Sequence, residues 1–184
     1  MIKPMILTGL AKNRLRFFDM NKLLILGAGQ YGKVAYEIAK AMERFERISF
    51  LDDYSSVAIG KLNDFDKYIG EYNSAVVAIG NVVMRLKLIE QLENAGYDIP
   101  VLISPRAYVA PSAVIGKGSF VEPMTVVHTE SVIGIGCIIS AGAVVNHNAI
   151  VGDGCHIDCG SIIGARVNTP RYITTKYGEI ITQN

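Results

Sequence analysis

A small, Rossmann-like parallel α/β domain followed by a short left-handed parallel β-helix is the fold class this 184-residue sequence predicts. Three observations carry that expectation. Val or Ile recurs at every sixth position through the second half, a small residue stands two places before each of them, and a Gly-rich turn separates a strand from a helix near the start.

The period begins at Val109 and runs through Ile115, Val121, Val127, Ile133, Ile139, Val145, Val151 and Ile157 to Ile163. The position two before is Ala107, Ala113, Ser119, Thr125, Ser131, Cys137, Ala143, Ala149, Cys155 and Ser161 in turn. Glycine recurs one residue earlier still, at Gly118, Gly136, Gly142, Gly154 and Gly160. The alternation of an ordinary sandwich would not keep a six-residue phase over this length. Three short strands and three turns, by contrast, close a triangular coil of 18 residues. The β-branched side chain then fills the prism, the small residue lies near a corner, and glycine eases the turn. Residues 18 apart stack roughly 4.8 Å apart, so Val109, Val127, Val145 and Ile163 form one column. The β-helix is expected over residues 105–167. Further six-residue steps land on Thr169, Thr175 and Ile181, and Pro170-Arg171-Tyr172 disturbs the pattern, so residues 168–184 read as an irregular tail.

In the first half, Leu23–Leu26 reads as a buried strand, followed by Gly27-Ala28-Gly29-Gln30-Tyr31-Gly32 and a helix from Lys33 to Arg44. Ile48–Leu51 reads as a second strand ending at Asp52 and Asp53, Ala75–Ile79 as a third closed by Gly80-Asn81, Val82–Asn94 as a helix, and Val101–Ile103 as a fourth strand. Residues 21–104 thus form a nucleotide-binding domain, with residues 1–20 as an extension. The extension has scattered basic groups, no continuous apolar stretch and no clear cleavage site, which argues against a secretory leader. The GxGxxG run between strand and helix lets the backbone approach a pyrophosphate at a helix N-terminus. Asp52, 20 residues after Gly32, stands where an acidic residue often meets a ribose. Residues 21–104 leave no room for a second mononucleotide half, which favours a nucleotide-sugar, held by the first turn and Gly80-Asn81, over NAD.

A net charge of +1 gives no global field for nucleic acid. No apolar run approaches the length of a membrane span. Three cysteines without a leader point to a reducing cytoplasm. Cys137 and Cys155 fall at stacked inward positions and read as apolar fillers. Cys155, His156 and Cys159 lack an evident fourth ligand, so no metal is expected.

The combination of Ile25-Leu26-Gly27-Ala28-Gly29-Gln30-Tyr31-Gly32-Lys33, Leu51-Asp52-Asp53, Ala78-Ile79-Gly80-Asn81 and Asn146-His147-Asn148-Ala149-Ile150-Val151-Gly152 resembles the sialic acid O-acetyltransferase and bacillosamine-pathway sugar N-acetyltransferase family of hexapeptide-repeat acyltransferases. The resemblance covers residues 21 to about 167. It implies a homotrimer that acetylates an amino or hydroxyl group of a nucleotide-sugar for surface glycan synthesis, with acetyl-CoA lying along the β-helix between subunits. It assigns His147 as general base, with Asn148 beside it and the Ala165 N–H, one coil on, as oxyanion donor. It assigns Gly27, Gly29, Gln30, Tyr31, Gly32, Asp52, Asp53, Gly80 and Asn81 to the nucleotide-sugar, and His156, Gly164 and Ala165 to acetyl-CoA. His156 is expected to face outward, and His128 to lie one coil below Asn146, near the site. The family has a carboxylate after the base where Asn148 stands here, which predicts slower catalysis or another carboxylate nearby, such as Asp153 or Asp158. The short prism leaves a second reading open: a non-catalytic homologue that binds a sugar nucleotide.

Overall fold

The structure, a computed structural model, describes residues 21–183, so the extension expected over residues 1–20 lies outside it. The chain opens with β1 (Asn21–Leu26), whose Leu23 to Leu26 are fully buried, as in a strand covered on both faces. Then follow α1 (Gln30–Ala41), β2 (Phe45–Leu51), a single 3-10 segment over Leu62–Tyr68, β3 (Ser74–Val77) and α2 (Val82–Asn94). The three strands form a parallel sheet in the order β2-β1-β3. The helix expected from Lys33 begins at Gln30, because Gly29 already serves as its N-cap.

The fourth strand is a correction. Leu102–Ile103 does not join this sheet but pairs with Phe120–Val121, as the first strand of the β-helix. The place beside β3 is taken by Asp98, whose carbonyl accepts from the Ala75 N–H at 2.9 Å. The prism therefore starts before the expected boundary at residue 105.

The β-helix has three faces built of two-residue parallel strands. The first holds Leu102–Ile103, Phe120–Val121, Ile138–Ile139 and His156–Ile157. The second holds Tyr108–Val109, Val126–Val127, Val144–Val145, Ile162–Ile163 and Ile180–Ile181. The third holds Val114–Ile115, Val132–Ile133 and Ile150–Val151. Register pairs such as Ile138 with Phe120 and His156 are 18 residues apart. The core is the predicted set, Val121, Val127, Ile133, Ile139, Val145, Val151, Ile157 and Ile163, together with Cys137, Ala143, Ala149 and Cys155.

The expected irregular tail is instead a further coil. Asn168 bridges to Ile150, Thr174 bridges to His156, and Ile180–Ile181 pairs with Ile162–Ile163. The six-residue phase persists with the two sizes exchanged. Val167 and Ile173 pack against the core from positions that are small elsewhere. Thr169 and Thr175, 4% and 3% exposed, stand where other coils carry Val or Ile. Their hydroxyls accept from the Gly152 N–H at 3.2 Å and the Asp158 N–H at 2.7 Å. Volume is conserved within each pair, and the buried hydroxyls are satisfied.

The two halves meet on the first face and its neighbouring corner. Residues from α1 (Ala35, Ile38 and Ala39) and the outward-pointing Leu102, Phe120 and Ile138 belong to one buried cluster. Along the corner, α2 lies over a column of glycines. A Cβ built on Gly118, Gly136 or Gly154 would meet Ile89, Leu86 or Val82 at 2.8, 2.7 or 2.4 Å. Each glycine also has positive φ, so the position excludes side chains on two grounds. Between those contacts Arg85, 1% exposed, reaches from α2 into the joint. Its guanidinium donates to the carbonyls of Ile79 at 2.7 Å, Gly136 at 2.9 Å, and Gly80 and Gly154 at 3.2 Å each.

Two glycines separate these effects. Gly142 has φ 71 but its Cβ position meets nothing closer than 4.0 Å, so Gly142→Ala should cost about 1 kcal/mol, the left-handed strain alone. Gly154→Ala, which also drives into Val82, should cost roughly 1–3 kcal/mol more. Urea denaturation of the two variants measures the difference; equal losses would mean that α2 does not depend on the corner.

Candidate functional site

Two groups of predicted residues lie in different parts of the molecule. The first surrounds the C-terminal ends of β1, β2 and β3. Gly27, at φ 103, turns the chain so tightly that a Cβ there would meet the Ala78 carbonyl at 2.8 Å, which brings the glycine turn against the end of β3. Gly32 closes the turn, since a Cβ there would overlap the Gly27 carbonyl. Gly29 borders open space, and Gln30 is exposed at the start of α1. The first turn of α1 has neither an acidic residue nor a side-chain cap.

The acidic residue predicted for the ribose also holds the backbone. Asp52 Oδ2 accepts from the Ala28 N–H at 2.8 Å, and Oδ1 from the Tyr54 and Ser55 N–H groups at 2.9 Å each. Both oxygens are committed to backbone, so Asp52 braces the glycine turn. Asp53 Oδ1 accepts from the Leu62 N–H at 3.1 Å. Asn81 caps α2, its side-chain oxygen accepting from the Met84 N–H at 2.9 Å, and only its amide N–H groups remain for a ligand. The Gly80 carbonyl is held by Arg85. The Tyr31 ring packs edge-on against Phe120 at 5.3 Å, and its hydroxyl is buried beside Glu122 without a hydrogen bond of ordinary geometry. It belongs to the joint between the two halves.

The second group lies on the corner between the second and third faces, where His147 is half-buried. His147 Nδ1 is 3.0 Å from Asn148 Oδ1. Asn148 takes a left-handed backbone, φ 57, as a residue at a tight corner must. Ala165 follows one coil on. The neighbouring Arg166 N–H donates to the His147 carbonyl at 3.1 Å, while the Ala165 N–H has no acceptor among the described residues. The Gly164 N–H, by contrast, donates to Ile181 in the added coil at 2.8 Å. His128 lies below, its ring 6.2 Å from that of His147.

His156 is not part of this group within one chain. It lies on the first face, nine residues and half a coil from His147, with Nε2 3.0 Å from Ser140 Oγ and 3.9 Å from Asp158 Oδ1. Burial pushes its imidazole below the ordinary value, against the pull of Asp158. Within one chain, the predicted acetyl-CoA set is therefore divided between the first face (His156) and the corner after the second (Gly164 and Ala165). The carboxylates proposed to assist His147 are turned elsewhere too. Asp153 accepts from the Ile135 N–H and pairs with Arg171, and Asp158 accepts from the Cys159 N–H. Glu130, which the motifs along the chain did not single out, is an acidic residue at this corner: its Oε2 accepts from Asn148 Nδ2 at 2.6 Å.

A cavity of about 420 Å³ between α2 and the β-helix, lined by Leu86, Glu90, Lys117, Asp153 and Arg171, includes neither His147 nor the residues predicted for the nucleotide-sugar. Among the described residues no cluster of three or more His, Cys, Asp or Glu side chains is placed to hold a metal, and no helix is long and apolar enough to cross a membrane.

The fold defines a class of architecture, an N-terminal α/β domain followed by a left-handed β-helix. Residues 22–92 match the PglD N-terminal domain family. A curated relative, UDP-N-acetylbacillosamine N-acetyltransferase of Bacillus subtilis (strain 168), is 31% identical over 111 residues, 55% of this chain. The matched stretch spans about half the length of that relative (51%). The acetyltransferase domain of PglB from Neisseria gonorrhoeae FA1090, solved in complex with acetyl coenzyme A, superposes with TM-score 0.76 at 29% identity, covering 88% of this chain and 91% of that one. PerB from Caulobacter crescentus, in complex with CoA and GDP-perosamine, shares the fold with TM-score 0.76 at 21% identity, over 90% of each chain. In sequence and fold the chain is thus similar to sugar-nucleotide N-acetyltransferases of the hexapeptide-repeat kind.

The brace at Asp52 has a pH signature. Its bonds to Ala28, Tyr54 and Ser55 hold the carboxyl below its ordinary 3.8. A depressed carboxyl stabilises the fold fully above the unfolded value, and that contribution is lost as pH falls through the lower, folded value. Between about pH 5 and about pH 3, wild type should therefore lose more stability than Asp52→Asn. Urea midpoints at the two pH values measure this; parallel losses would remove the brace.

Proposed function

We propose that this protein transfers the acetyl group of acetyl-CoA to an amino group of a nucleotide-activated sugar, in the cytoplasm, for surface glycan synthesis. The observation that carries the reading is the corner where His147, held at Nδ1 by Asn148, lies one coil below the free Ala165 N–H. An imidazole whose proton is on Nδ1 has its lone pair on Nε2, the arrangement of a general base near neutral pH. In this reading Nε2 accepts the proton of the sugar amine as the amine nitrogen bonds to the thioester carbonyl carbon. The oxyanion takes the Ala165 N–H. The C–S bond then breaks, and the proton on His147 passes to the departing CoA thiolate. Holding amine and thioester together supplies much of the rate. At the other end, the N–H groups opening α1 suit the diphosphate, with the Asn81 amide and the free oxygen of Asp53 at its edge. Nitrogen rather than oxygen as acceptor follows the named activity of the curated relative. The added coil removes the main support for a non-catalytic homologue, since the prism extends past the Ala165 level.

A homotrimer fits the bare faces. The N-terminal half covers the first face, but on the third Val114, Val132 and Ile150 form an outward stripe that is 59%, 39% and 44% exposed. Such a stripe needs a partner surface. A neighbouring prism on it would also bring a second chain to the His147 corner. Acetyl-CoA and a UDP-linked 4-amino sugar should release CoA thiol, and His147→Ala should lower turnover at least about 100-fold. Inert wild type across a panel of amino sugars would argue decisively against the activity. In light scattering the mass should be three times 20.0 kDa; a monomer would remove the shared corner.

A further inference from the structure

The Asn148 side chain is bonded at both ends. Its oxygen faces His147 Nδ1 at 3.0 Å, and its nitrogen donates to Glu130 Oε2 at 2.6 Å. Glu130 stands 18 residues earlier, one coil below at the same corner, with the same left-handed backbone, φ 57 at both positions. The Glu130 N–H is fixed in turn by Ser112 Oγ, a coil lower, at 3.1 Å. A side-chain amide oxygen only accepts and its nitrogen only donates, while a carboxylate only accepts. The chain of bonds therefore has one polarity: ring Nδ1–H to amide oxygen, amide N–H to carboxylate. Were the amide reversed, its N–H would face Nδ1 and its oxygen would face the carboxylate, two acceptors at 2.6 Å. Glu130 forbids that arrangement.

We propose that Glu130 is a positioning residue for His147, acting through the Asn148 amide. It selects the amide orientation, which selects the Nδ1–H tautomer and leaves Nε2 free to accept a proton. Its negative charge, carried through the polarised amide, stabilises the imidazolium that forms when it does. The other groups around the ring do not supply this. His128 has its Nδ1 occupied by the Thr129 N–H at 2.9 Å, and Arg166, the next step up the corner, meets His147 through its backbone N–H. The inference rests on the general-base reading of His147, but its first test does not use activity.

Nitrogen-15 NMR of the histidine rings, assigned with His128→Gln and His156→Gln, reads the tautomer directly. Wild type should show His147 mainly as Nδ1–H, and Glu130→Ala should move it towards a mixture. Glu130→Gln, which can turn its own amide oxygen to Asn148 but has no charge, should keep the tautomer. In turnover, both variants should lose kcat by about tenfold, part of what a general base contributes. KM for acetyl-CoA should stay within about twofold, since ground-state binding is untouched. The double variant Glu130→Ala with Asn148→Asp places the carboxylate directly on Nδ1 and should restore both tautomer and kcat; Asp tolerates the left-handed corner. An unchanged tautomer in a folded Glu130→Ala, or no recovery in the double variant, overturns the relay. Inactive wild type with the expected tautomer shift would overturn the acetyltransferase reading and leave the relay standing.

Discussion

Arg85 is the interaction on which the arrangement of the two halves depends. It is a fully buried guanidinium with no carboxylate beside it; four backbone carbonyls satisfy it instead. Two belong to the segment leaving β3, and two to corners one coil apart on the prism. A planar fork of donors can span such a set, whereas a lysine ammonium is a compact point with three. Desolvation pulls Arg85 below its ordinary value, yet a guanidinium stays charged under such a shift. The clasp works only because α2 comes down onto backbone, and it does so because Gly118, Gly136 and Gly154 present no side chain. Helix spacing, prism spacing and the buried charge are three parts of one fit: Val82, Arg85, Leu86 and Ile89 share a helix face, and the glycines share a corner.

Much of this architecture was legible in advance because the prism obeys a strict rule. An inward position every six residues and a stack every 18 leave little freedom, and Val or Ile at ten successive six-residue steps satisfies both. The same rule hid the last coil, because it was read as a rule about residue type. In the pairs Val167–Thr169 and Ile173–Thr175 the bulky and small members have changed places, with the phase intact. What the prism requires is volume at two adjacent inward positions. The misplaced strand at Leu102–Ile103 has a similar origin: a short apolar run does not announce which sheet it joins, and here it extends a ladder of stacked coils.

Residue types that suit a ligand also suit the backbone, and this limits what motifs reveal about a site. Asp52 and Asn81 are placed as a nucleotide-binding sequence would have them, yet their oxygens hold the glycine turn and the start of α2. Both uses rely on the same property, a short side chain that accepts from a nearby N–H. Tyr31 lies within the glycine motif but on the inner side of the first helical turn, so it packs on Phe120. Spacing located the motif correctly. Which atoms remain free after the fold has used its share is a property of the packed structure.

Glu130 differs, because the coil rule does specify it. Subtracting 18 from Asn148 reaches the residue one coil below, and that residue is acidic. A β-helix gives every corner residue two sets of neighbours, along the chain and along the stack. A side chain absent from one set can be supplied by the other if the residue between them relays it. An asparagine is suited to that position, since it tolerates the left-handed corner and carries a donor and an acceptor on opposite sides. The distances of 3.0 and 2.6 Å on its two sides show both in use. Reading such a site along the chain alone finds an amide where a charge is wanted; reading it along the stack finds the charge, one coil of 18 residues away.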